Sequence, residues 1–358
     1  MSINMMSRLA SETLVLRTRL ETLTRQSADG LRSDKLGDLG PDVSRLVSLR
    51  GEIGRREVYG KSMDQALGRT GIVQQSLSRM TEIAREFRTT VVQRISSDDP
   101  NSLTTVAAQA RSALSELANL LNTQNAGEFL FGGADLANPP IPNPDALATG
   151  QMAQDVAAQV GGLGTIDAAT ISAATLGIAK STAAGVSPFS DFLNAEEALA
   201  PADRAARRGV PSQDGEIIGY GVMANRNAEA VSSGDTTGGW ARDLMRGLMT
   251  LAALTPAQMA TDPVQFDKLI SNVREGLLAS ENALGEEAGA LGHVEARMAT
   301  VQTRHGSIST VLEGQVSDIQ YVDMAETLSQ LEATRTTLDA SYRAIGSISG
   351  LTLANFLR

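Results

Sequence analysis

Two stretches near opposite ends of the chain repeat apolar residues at alternating intervals of three and four. In the later one the series is Tyr321, Met324, Leu328, Leu331, Arg335, Leu338, Tyr342 and Ile345, and Arg335 alone interrupts it. No Pro falls within the stretch, and Gly346 comes just after it. In the earlier one the series is Met6, Leu9, Thr13, Leu16, Leu20, Leu23, Ser27 and Gly30, firmly apolar only between Leu9 and Leu23. Such spacing keeps one narrow face of a helix turned toward a partner helix. Either the two ends pair with each other, or each packs separately into a bundle core. The spacing alone satisfies both.

Between the ends the chain changes character. A first helix is expected from about Ile3 to Ala28, stopped at Gly30, and Gly37 to Pro41 form a turn. Asp42 is a candidate cap for a long second helix that Gly51, Gly54, Gly60, Gly68 and Gly71 soften, each by about 1 kcal/mol relative to Ala. Ser96 to Pro100 read as a turn, and Leu103, Val106, Leu114, Leu117 and Leu121 carry a third helix. From Pro139 to about Gly234 the chain is rich in Pro, Gly, Ala, Ser and Thr, and it reads as a looser, helix-poor module. Strands are expected around Thr165–Ile178 and Glu216–Met223. Helix returns at Trp240. Thr255-Pro256 and Asp262-Pro263 each place a cap before Pro at a first helical position. The last helices run from Val264 to about Ser307 and on, even without a break, to Ser347.

Charge sharpens this division. The net charge is −10, which argues against a general nucleic-acid binder. Residues 134–239 hold more than twice as many acids as bases, whereas the first third is balanced. There is no cysteine, so disulfides, thiolate metal sites and cysteine nucleophiles are excluded. No apolar run is long enough for a membrane span. Met1 to Leu16 lack a basic segment followed by an unbroken apolar run, so a Sec-type signal peptide is not expected. Aromatic residues make up 3% of the chain, which suits long helices packed along narrow seams.

Candidates for chemistry are few. His293 and His305 are the only histidines, and on one helix they stand about 18 Å apart. Glu286, Glu287 and Glu295 lie near His293 and read as a solvated face. Asp98-Asp99 reads as a cap. Gly161-Gly162-Leu163-Gly164 has no strand-turn-helix frame and reads as a loop, and no phosphate-binding loop or hydrolase motif occurs. No catalytic residue, metal site or cofactor is expected, and function is expected to lie in surfaces.

Several of these residues also resemble a known family. Ser317 to Glu326, with Leu328-Ser329-Gln330-Leu331-Glu332-Ala333 and Leu338-Asp339-Ala340-Ser341-Tyr342, resemble the start and body of the terminal helix in the flagellin superfamily. Gln26 to Arg32 are similar to its S-S-G-L-R-I segment, although Leu36 to Pro41 replace the acidic run that follows there. Asn122 to Gly133, ending Glu128-Phe129-Leu130-Phe131-Gly132-Gly133, and the ending Leu351 to Leu357 resemble the hook–filament junction branch more than filament flagellin. The likeness covers roughly residues 1–135 and 240–358.

The resemblance implies a mainly α fold. A coiled-coil segment is expected over 1–40 and another over 310–358. They would flank a helical rod in two parts, 41–135 and 239–309, with an inserted β-containing outer domain over 136–238. It implies a structural subunit, not an enzyme, that self-assembles into a ring between hook and filament outside the cell. Its expected partners are a hook-side junction protein, flagellin and a flagellar export chaperone. The expected subunit interface is Leu9, Leu16, Leu20, Leu23, Tyr321, Met324, Leu328, Leu331, Leu338, Tyr342, Ile345, Phe356 and Leu357. Filament flagellin is the nearest alternative, and a coiled-coil adhesin or phage tail component is the alternative of another class.

Overall fold

The computed structural model describes residues 2–95 and 99–356, with side chains over 7–95, at 99 and over 101–347. In chain order the helices are α1 (Ser2–Asp29), α2 (Asp42–Glu86), α3 (Pro100–Leu121), α4 (Gln151–Gly161), α5 (Ala168–Ala179), α6 (Asp191–Ala198), α7 (Trp240–Ala253), α8 (Pro256–Thr261), α9 (Pro263–Gln320) and α10 (Met324–Phe356). Two short antiparallel hairpins join them: β1 (Gln124–Asn125) with β2 (Glu128–Phe129), and β3 (Gly209–Gln213) with β4 (Glu216–Gly219). The fold is mainly helical. The chain forms two compact units, one of residues 1–58 with 303–358 and one of residues 59–302, so α2 and α9 contribute to both.

The boundaries follow local chemistry. Asp99 accepts a hydrogen bond from Asn101 N ahead of α3, Asp167 from Thr170 N ahead of α5, and Ser190 from Leu193 N ahead of α6. Ahead of α8, Thr255 N donates to Gln258 Oε1 at 2.7 Å, and Asp262 Oδ1 accepts from Gln265 N at 3.1 Å as α9 opens. The expected long final helix breaks at Tyr321–Asp323 instead of running on. There Asp323 Oδ1 takes the N–H groups of Ala325 and Glu326 and starts α10. The glycines of α2 do not interrupt it. At Gly51, Gly54, Gly60, Gly68 and Gly71 no atom lies within 4 Å of where a Cβ would sit, so they are not sites of close helix approach. The helix ends in a π turn over Phe87–Val91, which turns Phe87 and Val91 into the core. Of the next expected turn, Ser96, Ser97 and Asp98 lie outside the described residues.

In the unit of residues 59–302 the centre is α7. Every residue from Trp240 to Ala252 is buried, with α3, α4 and α5 packed on it. The stretch 136–238 is neither helix-poor nor loosely attached. It supplies α4, α5 and α6, and its Ile141, Val156, Ile171, Phe189, Leu193 and Val222 join the same apolar cluster as Leu77, Leu114, Leu244 and Leu284. The strand expected over Thr165–Ile178 is helix α5. Asp167 caps it, and its buried residues Ala168, Ile171, Thr175 and Ala179 recur at helical intervals, which a strand would not bury together. The second expected strand is present as β4, paired to β3 across Asp214 and Gly215.

Polar groups inside this unit have specific partners. Arg242 is 1% exposed. Its Nη1 donates to the carbonyls of Ala179 (2.8 Å) and Ser181 (3.1 Å), its Nη2 pairs with Glu197 at 2.7 Å, and its guanidinium lies 4.8 Å from the Phe189 ring centre. One turn on, Arg246 bonds Ser172, Thr175 and the Asp235 carbonyl, and burial lowers its pKa despite Asp243 and Asp235 nearby. Burial raises the pKa of Asp243 itself, against the N–H of Thr237 and the charge of Arg246.

Of the acids near His293, Glu286 is exposed and Glu295 half-buried, but Glu287 is not part of a solvated face. Glu287 is 1% exposed, and its Oε1 accepts the N–H groups of Ala228, Glu229 and Ala230 at 2.6, 2.8 and 2.9 Å. Glu286 takes the next one, from Val231, at 3.2 Å. Successive backbone N–H groups converging on one point make an anion-binding nest, and here α9 supplies the anion. Glu287→Ala orphans three part-buried donors, and a loss of about 2 kcal/mol in urea unfolding is expected. Glu287→Gln, which keeps an acceptor, should lose less.

Glu281 ties α9 to the end of α2 through Arg85 (2.9 Å) and Arg88 (2.8 Å). Burial alone would raise its pKa, but the hydrogen bonds from Arg85 and Arg88 outweigh it and hold the carboxyl below the ordinary range. A depressed carboxyl contributes stability that is present above its unfolded pKa, about 4.3, and is lost as pH falls through the folded value. Stability measured by denaturant between pH 6 and pH 2 should therefore fall, and the fall should be shallower in Glu281→Gln.

Candidate assembly surface

The unit formed by the two ends of the chain is built on α1 and α10, which pack along each other. On α1 the inward residues are Leu9, Thr13, Leu16, Leu20 and Leu23, with Ser27 and Gly30 continuing the series. Thr13 and Leu23 are buried, while Leu9, Leu16 and Leu20 are half-buried. A buried hydroxyl needs a partner, and Thr13 Oγ1 finds one in the Leu9 carbonyl at 2.6 Å.

On α10 the covered residues are Thr327, Leu331, Thr334, Leu338, Ser341 and Ile345. They also follow intervals of four and three. Leu331, Leu338 and Ile345 belong both to this face and to the series read from the apolar residues. Tyr321, Met324, Leu328 and Tyr342 lie beside it and are 40–52% exposed, with Arg335 exposed among them. Thr327 and Thr334 escape the sequence pattern, because the series through Tyr321, Met324 and Leu328 places the apolar residues beside them. The signal was present: Thr327 Oγ1 bonds the Asp323 carbonyl at 2.7 Å, so a Thr at this position hides its polarity inside the helix. The side chain of Phe356 and all of Leu357 lie outside the described residues, as does the side chain of Met6.

Where both helices break, backbone joins backbone. Val322 N donates to the Gly30 carbonyl at 3.0 Å and Arg32 N to the Gln320 carbonyl at 2.8 Å, so Leu31 and Tyr321 form an antiparallel bridge. Gly30, at φ +72°, makes the turn out of α1 that this needs. Arg25 pairs with Asp34 at 2.7 Å, and Gln26 Nε2 donates to the Arg32 carbonyl at 3.0 Å. Below the bridge, Leu46, Leu49 and Ile319 form a small cluster with Leu39, Leu312 and Val316. Further along, Arg56 Nη1 lies 3.3 Å from Nδ1 of His305, which is buried, and pairs with Glu52 at 3.3 Å.

The surface therefore carries two kinds of apolar residue. One row is covered by the partner helix within the chain. A second row, Met324, Leu328 and Tyr342 on α10 with Tyr321 just before it and Leu14 and Val15 on α1, faces outward. His293 is exposed in the other unit, with no histidine beside it. No group of three or more His, Asp and Glu suited to a metal ion occurs among the described residues, and none of their helices is long and apolar enough to cross a membrane. No protein-family model matches the chain, and a search of curated proteins returned no similar sequence.

Proposed function

We propose that the chain is a structural subunit of the bacterial flagellum, a hook-associated protein 3, that forms the ring joining hook to filament. The observation that carries this reading is the pairing of the two ends of the chain, with a second apolar row left outward on the same helices. In this reading α1 and α10 form a coiled coil. Leu9, Leu16, Leu20, Leu23, Leu331, Leu338 and Ile345 hold the pair within the subunit. Tyr321, Met324, Leu328 and Tyr342 meet neighbouring subunits, with a hook-side junction protein on one side and flagellin on the other. The motif residues Glu128 to Gly133 and the resemblance of residues 317–342 support the junction role over that of filament flagellin.

The seam is thin, and that bears on the mechanism. Half-buried leucines contribute about 1 kcal/mol each, little against the conformational entropy of two long helices. Burial of the outward row on assembly would supply the remainder, so the ends are ordered by neighbours. Export as an unfolded chain, attended by a chaperone, fits subunits whose ends are weakly held until they dock.

Three measurements test the reading. Labelled antibody should mark a single band at the hook end under the electron microscope, and staining along whole filaments would assign the chain to flagellin instead. In the isolated subunit, limited proteolysis should trim residues near 1–40 and beyond about 310 and leave the rest intact. Ends that resist cleavage as long as the remainder would count against order acquired on assembly. A double substitution Leu328→Ser/Tyr342→Ser should abolish ring incorporation while leaving the helix content of the monomer unchanged by circular dichroism.

A further inference from the structure

In the unit of residues 59–302 the turn of the β1–β2 hairpin, the β3 strand and α2 enclose a cleft of about 660 Å³. Two guanidinium groups share one carboxylate oxygen there: Arg69 Nη1 lies 2.6 Å from Glu128 Oε2, and Arg208 Nη1 lies 2.9 Å from the same atom. Arg69 is buried, and Arg208 Nε donates to the Tyr220 hydroxyl at 2.8 Å. Arg208 Nη1, although close to Glu128, is not aligned to hydrogen-bond it and has no other acceptor. Ser62, Gln65 and Asn125 add neutral polar groups to the lining. Two fixed positive charges therefore face one negative charge in an open cleft, on a chain whose net charge is −10.

The β3–β4 hairpin roofs this cleft from separate anchors. Tyr59 donates to Asp214 Oδ1 at 2.5 Å, and Arg297 pairs with Glu216. The hairpin thus does not depend on Glu128 alone to stay in place. Glu128 on β2 links Arg69 of α2 to Arg208 at the start of β3, and all three side chains line the cleft. Planar guanidinium pairs match the oxygens of carboxylates and phosphates.

We propose that this cleft is an oxyanion-binding site, taking a small carboxylate- or phosphate-bearing molecule on Arg208 and Arg69, with Glu128 as the internal occupant that such a ligand competes against. The site does not rest on the flagellar reading. If Glu128 competes, Glu128→Gln should bind anions more tightly, and Arg208→Gln should weaken binding about tenfold or more.

The test uses the full chain at pH 7, with inorganic phosphate and with citrate, each against sodium chloride of equal ionic strength. Thermal unfolding and isothermal titration are the readouts. The expected result is an unfolding midpoint raised by phosphate or citrate beyond the chloride control in wild type, raised further in Glu128→Gln, and unshifted in Arg208→Gln. The anion that acts at the lower concentration identifies the phosphate or the carboxylate class. Absence of any shift beyond chloride in both wild type and Glu128→Gln overturns the proposal. So does an undiminished shift in Arg208→Gln, which would place binding elsewhere. Should Glu128→Gln fail to fold, wild type against Arg208→Gln decides alone.

Discussion

A helix buried on every face has to satisfy its own charges from inside the protein, and α7 imposes that requirement on its surroundings. Arg242 and Arg246 stand one turn apart on it, and both are buried. Arg242 draws in the end of α5 through the carbonyls of Ala179 and Ser181, α6 through Glu197, and the ring of Phe189. Arg246 takes the side chains of Ser172 and Thr175 on α5 and the Asp235 carbonyl. A buried charge stripped of partners costs several kcal/mol, so these contacts oblige the stretch 136–238 to fold onto the helices that flank it. Its Gly- and Ala-rich composition gives no hint of this, because the organising groups sit on α7 and not within the stretch.

The unit at the two ends obeys a different rule. Each of its helices carries exposed residues, and among the described residues its buried apolar cluster is Leu46, Leu49 and Ile319 with three partly buried neighbours. What sets its register is a pair of backbone hydrogen bonds between residues 30–32 and 320–322, where both chains leave the helix. With the breaks bonded to each other, the two helices run on from a common point. The regular seam then follows from spacing alone.

Those two rules decide what can be read from residue order. The face of α1 was legible because one apolar row, Leu9 to Leu23, runs along it, and only Leu14 and Val15 interrupt the polar positions opposite. On α10 two apolar rows lie side by side, and periodicity cannot tell which one meets α1. Threonines at 327 and 334 carry the answer, but the Thr327 hydroxyl is silenced by the Asp323 carbonyl only once the helix exists. Helix caps at Asp99, Thr255 and Asp262 were legible for the converse reason: a side chain bonding its own next turn needs nothing distant. The burial of Glu287 was not. It depends on the N–H groups of residues 228–230, more than fifty positions away.

The stretch Asn122 to Gly133 shows how a recognisable motif arises from local geometry. Asn122 bonds both N–H and carbonyl of Ile141, at 2.9 and 2.8 Å. Ala126 and Gly127 both have positive φ, as a two-residue hairpin turn needs. Phe131 is fully buried with its ring edge-on to Trp240 at 6.2 Å, and a Cβ at Gly132 would lie 2.1 Å from the Asp135 carbonyl oxygen. Each of these residue types is explained by the hairpin that closes α3 onto α7. Glu128 is the exception, since neither strand pairing nor the turn requires an acid there. Its carboxylate is explained only by Arg69 and Arg208. The motif is therefore a folding element carrying one charged residue whose identity is set by the cleft beside it.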